Sequence, residues 1–468
     1  MIIKNITIYQ PGRPRDLAII ATIFWLGGIG ALAFINPLYM VFAVLGTAAV
    51  LVFGARPVAA LYAMAASYPF IQLEIVYGAF NAPIVDVIAI LALAAWAFRI
   101  LWFLMVDRER LKELRFPLVW FYAAWVIIAA LSLINTWDIA LSFKYLLRPL
   151  AFFYLAYVFV TVNTILNTKT LWRVLFVLYI VGIAVALYGL YGFLTVDVNS
   201  FLDRRVVPLP IFGMNPLGGN QNIIADVMVT TIPIGFFLML HIRGTKRQKM
   251  LFLGLLLLIG VNLMTFSRSG WLALIVMLGT LLVLQYRHFL KNIARYTVIA
   301  CIVALPLFGY MFLFSTQEQV QSSNVNRLML NDIALEMVTE YPLLGQGAGT
   351  FVTRVESNPL YIREFGAPLD AHGFIQKVAG ELGLLGLAAY LAFIGAVLWF
   401  IYKEYRRHDR ADNWSYLLAS LLVMVVGTVF FQLFQTSYFV AKLWFPVGVA
   451  IAAVYLARRN TKLDMSGV

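Results

Sequence analysis

Residues 84–98 read IVDVIAILALAAWAF, and residues 251–264 read LFLGLLLLIGVNLM. Both stretches are apolar at almost every position, without the every-second-residue alternation that a membrane-spanning β-strand shows. Runs of this kind, near the roughly 20 residues that an α-helix needs to cross a bilayer, recur along the chain. Their continuity predicts membrane-spanning helices rather than a β-barrel.

The composition of the 468-residue chain agrees with this prediction. It is 62% hydrophobic and 12% charged, whereas a soluble domain is about half apolar and a quarter charged. We therefore expect an all-α fold, a polytopic transmembrane bundle of about 12–14 spans. The apolar runs fall near residues 17–35, 38–54, 57–75, 84–104, 117–135, 147–166, 171–195, 222–241, 250–266, 270–286, 296–314, 373–401, 414–434 and 438–457.

The N-terminal residues do not have the pattern of a cleaved signal peptide. Residues 1–16 read MIIKNITIYQPGRPRD, and the apolar run that follows lacks a small-residue cleavage site. We expect that run to be the first span. The single cysteine, Cys301, lies within an apolar run, so an intrachain disulfide or a cysteine-based metal cluster is not expected.

The net charge of +13 does not indicate a nucleic-acid partner, because its distribution is that of a membrane protein. Lys and Arg in short loops between spans mark the cytoplasmic side. This pattern places both termini in the cytoplasm and leaves the lipid bilayer as the expected partner of the charged loops. The basic clusters lie at residues 107–115, 243–249, 287–295, 403–410 and in the C-terminal tail.

Two long segments between spans are expected on the opposite, outer side, at residues 196–221 and 315–371. Within the second, Val325, Met329, Ile333 and Met337 recur at helical spacing among polar residues, which predicts an amphipathic helix over the mouth of a cavity. Pro342 and the GQGAG sequence after it should end that helix. We divide the chain into N-terminal transmembrane helices, a core that holds both outer segments, and C-terminal transmembrane helices, at residues 1–195, 196–402 and 403–468.

Ten Lys and Arg side chains remain that the cytoplasmic bias does not explain. A basic group at membrane depth usually faces a cavity or a partner. Arg268, in a hairpin between two spans, carries a planar fork that suits phosphate oxygens. Pairing with a buried carboxylate such as Asp226 is an alternative role for two of the lysines. The ten are Lys144, Arg148, Arg204, Arg205, Arg268, Arg327, Arg354, Arg363, Lys377 and Lys442.

The stretch PLDAHGFIQ, residues 368–376, places a histidine where the chain enters a span. Asp370 could cap that helix or orient the His372 imidazole, and Gln376 follows one turn later. A structural role for His372 is the alternative. The other histidines, His241, His288 and His408, lie in or beside cytoplasmic loops, so neither a three-histidine metal site nor another cofactor is expected.

Four motifs in one order carry a family resemblance. FSRSGWLAL is followed by EYPLLGQGAGTF in the long segment and then by AHGFIQKVAGELGLLGL, while FGMNPLGGNQNIIADVMVTTIP lies upstream. In order and spacing this region, roughly residues 200–400, resembles the O-antigen ligase and polymerase superfamily. The family often has Asn after the histidine, whereas this chain has Gly373, which puts an Asn-mediated contact there in doubt.

The resemblance implies a metal-independent, inverting glycosyltransferase at the outer, periplasmic face of the bacterial cytoplasmic membrane. Its donor would be a glycan on undecaprenyl diphosphate. Its acceptor would be lipid A-core in a ligase, or a lipid-linked repeat unit in a polymerase, and the sequence leaves this choice open. The implied site has His372 as base, Arg268 as catalytic and diphosphate-binding residue, and Arg204 or Arg205 as a further diphosphate contact. From their positions near His372 in the sequence, we also expect Lys377 to contact the donor and Asp370 and Gln376 to support the site.

Two other classes of function remain as alternatives. A transporter for lipid-linked sugars would suit the number of spans, but transporters place charge near the midplane and have short outer loops. Here the unexplained charge lies near the outer side, beside the long segment. A non-catalytic assembly partner would tolerate loss of His372 and Arg268.

Overall fold

A computed structural model describes residues 37–77, 80–196, 204–211, 213–242, 244–286, 318–410, 412–436 and 441–459. Over these ranges the chain is almost entirely helical, so the predicted all-α polytopic fold is confirmed. The expected spans near 17–35 and 296–314, the basic loop at 287–295 and Cys301 lie outside the described residues.

We number fifteen helices and two strands in the described part of the chain. The strands β1 Glu74–Tyr77 and β2 Phe80–Pro83 form an antiparallel hairpin, with Glu74 opposite Pro83, which the sequence reading did not predict. The helices are α1 Pro37–Ala55, α2 Pro57–Ser67, α3 Ile84–Val106, α4 Val119–Leu131, α5 Ile139–Thr164, α6 Thr168–Thr195, α7 Gln221–His241, α8 Thr245–Met264, α9 Arg268–Gln285, α10 Glu318–Glu340, α11 Phe351–Glu356, α12 Pro359–Phe365, α13 Phe374–Tyr405, α14 Asn413–Phe431 and α15 Ala441–Arg458.

Nine of these helices, among the described residues, are long and apolar enough to cross a membrane: α3, α5 to α9 and α13 to α15. Helices α1 and α2 are bent by 118° relative to each other and could together form a tenth, broken span. Pro57 begins the second helix of this pair, where its missing N–H costs no hydrogen bond. Helix α4 is apolar but short, so not every predicted run corresponds to a full span.

The most buried helices lie at the centre of the bundle. Helix α15 is almost wholly enclosed, and α7 packs against α6, α8 and α14. The outer surface is apolar instead of polar: Phe98, Trp102 and Met105 of α3 are all at least half exposed. A bundle with a packed interior and an apolar exterior fits a lipid environment.

Short connections between packed helices fix which helix ends meet. Three residues join α7 to α8, and three more join α8 to α9, so these neighbours run antiparallel. The starts of α7, α9 and α13 therefore lie at one end of the bundle, which we call the arginine end. The basic residues at 244–249 and 403–410 lie at the opposite end.

The long segment forms its own small core at the arginine end. Helices α10 to α12 bury a second apolar cluster, and α10 also packs against α13. A helix is present where the amphipathic pattern predicted one, and it ends at Glu340, just before Pro342. One predicted core position is wrong. Val325 is 46% exposed, whereas its neighbour Asn326 is buried and accepts a hydrogen bond from the Tyr361 hydroxyl at 3.2 Å.

Candidate active site

The FSRSGW motif forms a tight hairpin that holds Arg268 at the first position of α9. Ser267 caps the helix, its hydroxyl accepting from the Gly270 N–H at 3.2 Å. Phe266 adopts a left-handed backbone conformation (φ 52°), which lets the chain reverse within three residues. The Trp271 indole N–H donates to the Leu263 carbonyl at 3.0 Å and ties the two helices together. Each residue of the motif thus helps to fix where Arg268 lies.

Gly270 is required by close packing behind the hairpin. A Cβ at this position would lie 2.8 Å from Asn262 Oδ1 and 2.9 Å from the Ala225 Cβ. The Asn262 amide donates to the Gly270 carbonyl at 3.2 Å. The hairpin therefore rests directly on α7, the helix that follows the Asn-rich stretch.

The PLLGQG loop fits into a break in α13. Gly383 departs from helical geometry (φ 69°), and the freed N–H groups of Leu384 and Leu385 donate to the carbonyls of Pro342 and Leu343 at 2.8 and 3.2 Å. A Cβ on Gly383 would overlap the Leu343 backbone. The loop thus fixes the short first part of α13, which begins directly after His372.

His372 lies half-buried in a bend just before the N-cap of α13, Gly373. A Cβ on Gly373 would overlap the Gln376 side chain and lie 2.5 Å from the Leu433 carbonyl oxygen. A larger residue at this position would require the Leu433 backbone to shift. Gln376 Oε1 is buried and has no hydrogen-bond partner among the described residues.

Lys377 forms a buried ionic cluster below His372. Its Nζ lies 2.6 Å from Asp370 Oδ2 and 3.8 Å from Glu381 Oε1, and its side chain is 2% exposed. The Lys377 charge is therefore balanced within the protein, which argues for a structural role instead of the expected donor contact. Asp370 also accepts from the Ala371 N–H at 2.9 Å and does not cap α13, so the capping hypothesis is wrong.

Arg268, Arg327 and His372 come together at the arginine end. Arg268 donates to the Asn324 side chain at 3.2 Å, and Asn324 lies one turn before Arg327 on α10. Burial, followed by the nearby Arg268 charge, lowers the pKa of Arg327. Burial lowers the pKa of His372, the Arg327 charge lowers it further, and Asp370 opposes both. The imidazole, beside the Arg327 guanidinium, therefore gives up its proton more readily than a free histidine does.

These two guanidinium groups differ from Arg354 and Lys442 at the same end of the bundle. Arg354 pairs with Glu340, and Lys442 lies 3.5 Å from Asp226, the pairing considered from the sequence. Among the side chains that the structure describes, Arg268 and Arg327 have no carboxylate partner, and the Arg327 Nε is buried without a hydrogen bond. Adjacent, unneutralised arginines form a site for an anion.

The Arg354 pairing also bears on the candidate bases of the long segment. Arg354 lies 3.8 Å from Glu336 in addition to its contact with Glu340. Both carboxylates are therefore neutralised locally, and Asp332 is exposed on α10. Of these candidates, His372 is therefore the better general base beside the arginines.

Arg204 and Arg205 lie in an extended segment that contacts the same hairpin. The adjoining Val206 N–H donates to the Met264 carbonyl at 2.9 Å, at the end of α8. Arg204 donates to the Phe193 carbonyl at 3.5 Å. Arg205 is half-buried and makes no hydrogen bond or ion pair with the residues that the structure describes. Arg205 is therefore the better candidate of the two for a ligand.

Arg327 was the functional candidate that the motifs missed. The sequence marks Arg327 only as one of the ten unexplained basic residues, because no motif contains it. A basic residue on the half-buried flank of a helix predicted to cover a cavity was the available indication. In the described part of the chain, no group of three or more His, Cys, Asp and Glu side chains is placed to hold a metal ion.

Comparison with known families identifies the segment that holds this site. Residues 251–391 match the family model described as O-antigen ligase. The match confirms the resemblance to the O-antigen ligase superfamily, and it includes Arg268, Arg327 and His372. No curated protein matches the chain.

Proposed function

We propose that the protein transfers a glycan from undecaprenyl diphosphate to an acceptor such as lipid A-core, with inversion and without a metal ion. The observation that carries the proposal is the pair of unneutralised arginines, Arg268 and Arg327, beside the neutral His372. The match of this segment to the O-antigen ligase family supports the same chemistry.

The arginines would bind the diphosphate of the donor. An arginine offers paired N–H groups that match phosphate oxygens, and a desolvated arginine interacts with them more strongly than one in water. When the glycosidic C–O bond breaks, its electron pair moves to the diphosphate oxygen, and the arginines stabilise the charge that develops there. Arg205, from the segment beside the hairpin, is a third candidate contact.

His372 would accept the acceptor proton. Its lowered pKa keeps the imidazole unprotonated near neutral pH, which a general base requires. The acceptor hydroxyl oxygen attacks the anomeric carbon as the bond to the diphosphate breaks, and its proton passes to an imidazole nitrogen. A single displacement of this kind inverts the anomeric carbon.

The charge pattern supports a reaction at the outer face of the cytoplasmic membrane. The arginine end lies opposite the basic residues at 244–249 and 403–410, and basic loops mark the cytoplasmic side. A polymerase would use the same donor site and differ in its acceptor, a second lipid-linked repeat unit. The acceptor assay below separates the two.

The test combines binding and transfer for the full chain in nanodiscs, with lipid-linked oligosaccharide extracted from the source bacterium as donor. His372→Ala should retain donor binding and lose about 10²–10⁴-fold in transfer, as expected for loss of a general base. Arg268→Lys keeps the charge but loses the fork, so both donor affinity and transfer should fall. Transfer is measured with and without lipid A-core to distinguish ligase from polymerase.

Matched controls come from residues of the same type elsewhere in the chain. Arg363→Lys changes an exposed arginine at the same end, and His408→Ala changes a histidine at the opposite end. Both should transfer at the wild-type rate. Near wild-type transfer by His372→Ala would show that this histidine is structural and that another group is the base.

A further inference from the structure

A separate cavity, lined by both apolar and charged side chains, lies beside the arginine site. Its volume is about 340 Å³, and it lies between the β-hairpin and the starts of α3, α7 and α15. Cavities of a few hundred Å³ commonly hold small ligands. This volume suits a small polar group and not a long glycan or a lipid tail.

The cavity is lined by buried charges that are not all satisfied within the protein. Asp226 is 2% exposed and Lys442 is 1% exposed, and their side chains lie 3.5 Å apart. Asp226 Oδ1 has no hydrogen-bond partner in the part of the chain that the structure describes. A buried carboxylate oxygen without a donor costs free energy unless a ligand or water supplies one. This oxygen could accept a hydrogen bond from a ligand hydroxyl or N–H group in the cavity.

The charge of the lining disfavours the diphosphate as its ligand. Asp226 and Glu74 contribute two carboxylates, against the single ammonium group of Lys442, and Asp86 has its own interaction within the protein. A phosphate group would be repelled by this excess, in contrast to the two unpaired arginines. The amides of Asn222 and Gln435 add groups that both donate and accept hydrogen bonds, as sugar hydroxyls do.

The cavity wall continues into both parts of the candidate active site. On one side, Asp226 follows Ala225, which packs against Gly270 behind the Arg268 hairpin. On the other side, the lining residues Phe431 and Gln435 flank Leu433, whose carbonyl packs against Gly373, the residue after His372. A group in this cavity would therefore lie next to the reacting groups.

We infer that this cavity binds a sugar ring, belonging to the donor glycan or to its acceptor. The inference rests on the proposed function, since a glycan transferase must hold saccharide beside its phosphate-binding site. Carboxylates and amides would hydrogen-bond the ring hydroxyls, and Phe153 and Phe431 would cover its apolar face. The chemistry differs from that of the arginine site, so the two can be tested separately.

The experiment compares two neighbouring positions on the first turn of α7. Asn222 lines the cavity, whereas Gln221 does not. Asn222→Leu should raise the Kd of extracted lipid-linked oligosaccharide, or the KM for the acceptor, by about tenfold, the effect of one lost hydrogen bond to a ligand. Its Kd for sugar-free undecaprenyl diphosphate should not change. Gln221→Leu, the matched control, should alter none of these values.

Two further variants, Gln435→Leu and Arg268→Ala, keep the outcomes distinct. Gln435→Leu should repeat the result from a different element, which guards against misfolding of one variant. A change confined to the donor assigns the sugar to the donor glycan, and a change confined to the acceptor KM assigns it to the acceptor. Unchanged saccharide binding in both variants, or an equal loss for the sugar-free lipid, overturns the inference. Failure of Arg268→Ala to weaken binding of the sugar-free lipid would instead count against the proposed function.

Discussion

Substitution of Lys377 by Met should destabilise the protein without acting through the diphosphate. The Lys377 ammonium lies 2.6 Å from Asp370 and 3.8 Å from Glu381, and its side chain is 2% exposed. At an effective dielectric constant near 20, these separations correspond to attractions of about 6 and about 4 kcal/mol. Desolvation of the three groups offsets much of this, so the net value of the cluster is small.

The cost of breaking the cluster is larger than its net value. Removing only the lysine leaves the Glu381 carboxylate, with a side chain 1% exposed, buried without its cation. Loss of one partner from a buried ion pair typically costs about 3–5 kcal/mol. We expect Lys377→Met to lower the free energy of unfolding by this amount. Lys377→Met combined with Glu381→Gln and Asp370→Asn should recover most of the loss.

The assay is thermal unfolding in detergent, followed by tryptophan fluorescence, together with donor affinity for the variants that remain folded. The compensated triple variant should unfold near the wild-type temperature and bind sugar-free undecaprenyl diphosphate normally. Unchanged unfolding in Lys377→Met, with a weaker donor affinity in both variants, would refute this reasoning. That outcome would restore Lys377 as a donor-binding residue.

Three further predictions concern the site and its supports. In a pH titration of transfer, the acidic limb of kcat/KM should lie below pH 6.5. Arg327→Gln should move this limb to higher pH, because loss of the guanidinium charge raises the His372 pKa. A limb that does not move would show that another group titrates. Transfer should be unaffected by EDTA, and a loss restored by Mg²⁺ would contradict the metal-free mechanism. Gly383→Ala should cost about 1–3 kcal/mol in thermal unfolding, since its Cβ would overlap the Leu343 backbone, whereas Gly395→Ala on the same helix has nothing within 4 Å and should be neutral.

The sequence was sufficient to predict the bundle because long apolar runs admit few other folds. It also predicted α10, since the helical spacing of Ile333 and Met337 survives in the structure. The exposure of Val325 and the burial of Asn326 could not be read from periodicity. They depend on Tyr361, 35 residues away, whose hydroxyl satisfies the buried amide. The periodicity of apolar residues within one helix cannot show such a contact with a distant segment.

The role of each basic residue was harder to predict than its location. Lys377 and Arg268 both lie at the arginine end, and sequence offered no way to tell a paired lysine from an unpaired arginine. The difference arises from contacts between distant segments. Asp370 and Glu381 reach Lys377 because Gly383 breaks α13 and the PLLGQG loop holds the first part of that helix in place.

Two groups of cations at this end differ in their counter-ions, and we expect them to differ in function. Lys377, Arg354 and Lys442 each have a carboxylate within the fold and stabilise it. Arg268 and Arg327 lack one among the described side chains, although two adjacent guanidinium groups repel each other. That repulsion is relieved when an anion binds between them, so donor binding should also fasten α10, which carries Arg327, onto the hairpin of Arg268. A donor diphosphate would then complete the site as well as react in it, because it supplies the negative counter-charge that Arg268 and Arg327 lack among the described side chains.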